Sequence, residues 1–103
     1  MATVIWSGPA IRNAQHVGNV IARSRPGVAS KWVRRIMSAP DILETMPYRG
    51  AIVEEIGLEH IRELLVGSYR IIYSISGETC TIAAVLHGRQ DLPTHFDPDD
   101  LPA

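Results

Sequence analysis

Residues 67–91 read GSYRIIYSISGETCTIAAVLHGRQD, and the fold turns on how this stretch doubles back. Two runs, YRIIYSIS (69–76) and TCTIAAVLH (79–87), are rich in β-branched and aromatic residues and are separated by Gly77-Glu78. Glycine supplies the positive φ that the first central position of a type II′ hairpin turn requires. Upstream, IRELLV (61–66) meets the same signal at Gly67-Ser68. Two such turns in succession predict a three-stranded antiparallel meander.

An unbroken register around Gly77-Glu78 pairs Ser76 with Thr79, Tyr73 with Ile82, Ile71 with Ala84 and Tyr69 with Leu86. Side chains alternate across a strand, so Tyr69, Ile71, Tyr73, Ile75, Cys80, Ile82, Ala84 and Leu86 then share one apolar face. Arg70, Ile72 and Ser74 lie on the other, opposite Val85, Ala83 and Thr81. His87 joins Arg70 there as a diagonal neighbour, about 7–8 Å away, with Arg89 and Asp91 just beyond. Around Gly67-Ser68, Leu65 faces Arg70 and Glu63 is diagonal to it, so Arg70 has either a cross-strand carboxylate or a functional role. Arg62 falls on the apolar face opposite Tyr73. This requires either a position beyond the core's edge or a bulge.

Outward from the meander, TVIWS (3–7) reads as a short strand. A helix follows, capped by Ser7 or Gly8, with Pro9 in its first turn and Ile11, Ala14, Val17 and Ile21 at helical spacing. Pro26-Gly27 ends it. A second helix from about Val28 buries Val28, Trp32, Ile36 and Leu43 or Met46. Pro40 removes a hydrogen bond to the carbonyl of Ile36 and predicts a kink or break near 37–39, with Ser38 and Asp41 spaced to cap a restart. Residues 51–56 are compatible with an extended segment of no fixed register. The expected fold is α+β: an N-terminal strand, a two-helix hairpin and a three-stranded antiparallel meander forming one small sheet, in a single domain spanning 1–103. Residues 93–103 form an acidic, proline-rich tail.

The chain of 103 residues has room for one domain. Its single cysteine, Cys80, excludes an internal disulfide and sits in an apolar strand pattern. The start lacks the basic and apolar segments of a signal peptide, and no apolar run approaches the ~20 residues of a membrane helix. The expectation is a cytoplasmic protein with no membrane partner. Charge is uneven: residues 1–40 carry Arg12, Arg23, Arg25, Lys31, Arg34 and Arg35 and no acid, whereas residues 41–103 carry eleven acids against four arginines. The four histidines lack metal-ligand spacing, and neither a phosphate loop nor a nucleophile elbow occurs. No cofactor or metal is implied.

The strand, the helical hairpin and the stretch RELLVGSYRIIYSISGETCTIAAVLHGRQDLP (62–93) together resemble the RelE/ParE superfamily of toxins from bacterial type II toxin–antitoxin systems. The resemblance covers residues 3 to about 93 and is strongest at GSYRIIY and VLHGRQDLP. It implies a small α+β toxin and a cognate antitoxin wrapping it, with a higher-order toxin–antitoxin complex possible. It also implies one of two activities, since the fold hosts both: RelE-like cleavage of mRNA on the ribosome, or ParE-like inhibition of DNA gyrase without nuclease chemistry.

As a metal-independent nuclease, the resemblance would have Arg70 hold the scissile phosphate and Arg89 assist it. His87 would act as acid or base, and Glu54 or Glu55 as the base. As an inhibitor, it would direct the basic hairpin, with Arg23, Arg25, Lys31, Arg34 and Arg35, toward an acidic surface of gyrase. A net charge of -1 and a single lysine suit docking inside ribosomal RNA poorly, so the inhibitor reading stands first. A non-toxic remnant that still binds its antitoxin is the third reading. Leu65, Arg70, Ile72, Val85 and His87 mark the face expected to meet a partner. Pro40 departs from the uninterrupted second helix expected of the superfamily.

Overall fold

The structure is a computed structural model and describes residues 1–88. Strand β1 (Thr3–Trp6) leads into helix α1 (Gly8–Ser24) and helix α2 (Pro26–Ser38), followed by a 3-10 helix (Ala39–Glu44). Strands β2 (Ala51–Ile52), β3 (Ile61–Val66), β4 (Tyr69–Ser76) and β5 (Thr79–His87) complete one five-stranded sheet in the order β1-β5-β4-β3-β2. β1 runs parallel to β5 and the other pairs are antiparallel. The α+β class and the meander are as expected. The two-residue β2 adds a fifth strand, with Ala51 opposite Glu63.

Local chemistry explains the boundaries. Ser7 Oγ accepts from the Ala10 amide at 3.1 Å, capping α1. Pro26 opens α2 rather than merely ending α1. At Pro40 the α-helix gives way to the tighter 3-10 geometry, in which Pro40 occupies the first turn. The capping pair expected at Ser38 and Asp41 does not form. Ser38 keeps helical φ and ψ, and its hydroxyl donates to the Arg35 carbonyl. Met46 is exposed, so Leu43 alone closes that end of the core.

The helical hairpin lies on one face of the sheet. Ala10, Ala14, Val17, Ile36 and Leu43 pack with Ile71, Tyr73, Ile75, Cys80, Ile82 and Val85; each fully buried large apolar side chain contributes about 1.5–3 kcal/mol. A second cluster, Val53, Ile61, Ile72, Ala84 and Leu86 with Ile56 against it, fills the opposite face beneath the segment linking β2 to β3. Among the described residues no helix is long and apolar enough to cross a membrane. The acidic tail, Arg89 and Asp91 lie outside the described residues.

The register departs from expectation at one point. Tyr73 pairs with Ile82 as predicted, but Ile72 pairs with Ala84, Ile71 with Val85, Arg70 with Leu86 and Tyr69 with His87. Ala83 is the extra residue of a bulge. Beyond Trp6, β1 no longer borders β5, and α1 takes its place there. Ser7 Oγ donates to the Ala83 carbonyl at 3.4 Å, and Asn13 Oδ1 accepts from the Val85 amide at 3.1 Å. The bulge turns Val85 and His87 to the helical face and sends Ala84 and Leu86 to the far one. Arg62 needs no bulge of its own. It stays opposite Tyr73 but reaches out over the Tyr48 ring, donating to the carbonyls of Gly50 at 3.1 Å and Glu59 at 2.8 Å.

Candidate functional site

Arg70 sits mid-sheet on the face away from the helices, and its side chain is only 11% exposed. Its guanidinium is held by two carboxylates. Nη1 donates to Glu55 Oε2 at 2.8 Å and Nη2 to Glu55 Oε1 at 2.9 Å, a two-bond fork. Nε and Nη2 also donate to Glu63 Oε2, at 2.9 and 2.6 Å. The cross-strand pair with Glu63 follows from the register. Glu55 arrives from the β2–β3 segment, which the sequence left without a fixed path. The Arg70 hydrogen bonds hold the Glu55 carboxyl below its usual range. Glu55 in turn is the largest influence holding Arg70 above the usual guanidinium range, against the cost of burial. The cluster therefore carries one cation against two anions.

His87 does not approach this cluster. The bulge places it on the helical face, where its ring meets Tyr69 edge-on at 5.2 Å. Arg70 and His87, expected side by side, are on opposite faces of the sheet. Glu54 is exposed at the rim of the Arg70 groove.

That groove is open and holds about 600 Å³. Glu54, Glu55, Glu63, Leu65 and Arg70 line it, with Gly88 at its margin. Leu65 is 69% exposed, but Ile72 is fully buried under Val53 and Val85 faces the helices. The apolar surface expected on this face from Leu65, Ile72 and Val85 is thus reduced to Leu65. Electrostatically the groove is acidic. A phosphate entering it would meet uncompensated carboxylates before any free cation.

The basic surface is elsewhere. Arg23, Arg25, Lys31, Arg34 and Arg35 are all exposed on the helical hairpin. Among the described residues both ion pairs are made by Arg70, so these five cations have no carboxylate partner there. Arg35 stacks its guanidinium over the Trp32 ring at 4.5 Å, and Trp32 meets Tyr69 edge-on at 5.8 Å. Trp32, on the side of α2 that the spacing marks as buried, is only partly buried, and its i, i+3 spacing to Arg35 also makes it a platform for that cation.

The family model described as the ParE toxin of the type II toxin–antitoxin system parDE matches residues 4–92. Among solved structures, the chain is similar to one from the chromosomal ParDE toxin–antitoxin system of P. aeruginosa. That match has 16% identity and a TM-score of 0.73, covering 86% of this chain and 98% of the other. It is also similar to one from the toxin–antitoxin complex RelBE2 of Mycobacterium tuberculosis, with 20% identity and a TM-score of 0.51, covering 84% of this chain and 96% of the other. These likenesses are of fold. No curated protein sequence matches the chain.

Proposed function

We propose, for a chain that belongs to the ParE toxin family of type II toxin–antitoxin systems, that it is a growth inhibitor acting on DNA gyrase and neutralised by a cognate antitoxin. The observation that supports inhibition over RNA cleavage is the state of Arg70. A cation that holds a scissile phosphate must have donors to give it. Arg70 has committed Nε, Nη1 and Nη2 to Glu55 and Glu63, and the surrounding groove is acidic. His87 is on the other face of the sheet, so acid–base and phosphate-binding groups do not converge around Arg70. In this reading the Arg70 cluster is structural: it ties the β2–β3 segment to the sheet.

The antitoxin is the natural cover for the groove and for Leu65, whose exposure suits an apolar contact. The test of the target is DNA supercoiling by purified gyrase with increasing amounts of the purified chain. Supercoiling stops in a dose-dependent way, and Arg70→Ala retains most of this activity wherever the variant remains folded. Unchanged supercoiling at a large excess of folded protein refutes the assignment.

A further inference from the structure

We infer that Arg35, held over the Trp32 ring, is the point at which the helical hairpin takes a carboxylate from an acidic segment of the toxin's protein target. The inference rests on the reading that the chain acts by binding a protein, and it names the chemistry of that contact.

Arg70 and Arg35 are both held in place, but by different means. Arg70 is ordered by carboxylates and is neutralised by them. Arg35 is ordered by an aromatic face, 4.5 Å from the Trp32 ring, and among the described residues no carboxylate pairs with it. The cation–π contact restricts the long side chain without using its N–H groups in a carboxylate pair, so they can bind a carboxylate in a fork. Part of the entropy cost of recognition has therefore been met before a partner arrives.

The surroundings fix both the sign and the class of the partner. Lys31 and Arg34 are exposed on the same helix, and residues 1–40 contain no acid at all. The field over this surface is positive and draws an anionic group. A nucleic acid would satisfy the sign, but single strands bind such surfaces by stacking bases on open aromatic faces. Trp32 offers no such platform. Arg35 covers one face, Tyr69 meets the ring edge-on, and a Cβ built on Gly67 would lie 2.6 Å from Trp32 Cη2. A protein carboxylate needs only the guanidinium edge. Tryptophan, tyrosine and arginine are also the residues most enriched at the energetic centres of protein interfaces.

The test uses the full chain in the gyrase supercoiling assay, with Arg35→Ala, Arg35→Lys and Trp32→Phe. Arg12→Ala, an exposed arginine on α1 rather than α2, is the control for general positive charge, and thermal melts confirm folding. Arg35→Ala raises the concentration for half-inhibition at least tenfold. Arg35→Lys, which keeps the charge but loses the fork, raises it severalfold. Trp32→Phe keeps a stacking face and stays close to wild type, as does Arg12→Ala. Folded Arg35→Ala that inhibits like wild type overturns the inference and leaves the gyrase reading intact. Equal losses in Arg35→Ala and Arg12→Ala also overturn it, because they signal diffuse charge rather than a site. A wild-type chain that does not inhibit gyrase overturns both.

Discussion

Glu55 meets Arg70 with both carboxylate oxygens, at 2.8 and 2.9 Å, while Glu63 takes the remaining side of the same guanidinium. This joins the β2–β3 segment to the centre of the sheet. Removing the cation leaves Glu63, whose side chain is 17% exposed, beside Glu55 with no compensation. Arg70→Met should destabilise the fold by about 2–4 kcal/mol, somewhat below the range for fully buried pairs because Glu55 is partly solvated. Urea unfolding measures the loss. Adding Glu63→Gln to Arg70→Met should recover part of it, since the stranded charge is then gone.

The same pair makes stability depend on acid. Glu55 titrates below its usual range in the folded state. Its contribution is fully present above the unfolded carboxylate pKa of about 4.3 and disappears as pH falls through the lower folded value. Melting temperatures of wild type and Glu55→Gln should therefore differ most at neutral pH and converge in acid. A constant gap from pH 7 to 3 would show that the carboxylate's charge contributes nothing.

Tyr73 is fully buried, and its hydroxyl donates to the Pro47 carbonyl at 2.8 Å and accepts from the Gly50 amide at 2.9 Å. It anchors the approach to β2 from within the core. Tyr73→Phe keeps the ring but strands two backbone groups. The expected cost is about 1–3 kcal/mol, read as a lower urea midpoint with an unchanged slope.

The two hairpin glycines should respond differently to alanine. Gly77 has φ +58° with open space around it, so Gly77→Ala meets only left-handed backbone strain, about 1–2 kcal/mol. Gly67 has φ +57°, and its new Cβ would also strike Trp32. Gly67→Ala should be the more destabilising of the two and should reduce Trp32 fluorescence anisotropy as the ring is displaced.

The sequence carried the meander because its turns announce themselves. Glycine opens each loop and β-branched residues fill the strands, and Tyr73 and Ile82 fall opposite each other as read. The bulge at Ala83 carried no signal, because Ala83-Ala84 looks the same to periodicity whichever residue is extra. Its cause is tertiary, the replacement of β1 by α1 along β5, and it moved His87 away from Arg70. Glu63 beside Arg70 was readable from register. Glu55 was not, since it is brought in by a segment with no periodicity of its own. Arg35 on Trp32 was readable from helical spacing, but the assignment of Trp32 to the core hid its other edge.

The most direct test of the central claim, that Arg70 is structural and the chain inhibits without cutting RNA, is primer extension on cellular mRNA. Samples are taken after brief induction without antitoxin while growth is followed. Growth arrest with intact mRNA is the predicted result. Codon-phased cleavage that vanishes in a folded Arg70→Ala variant would contradict it and assign Arg70 to phosphate binding.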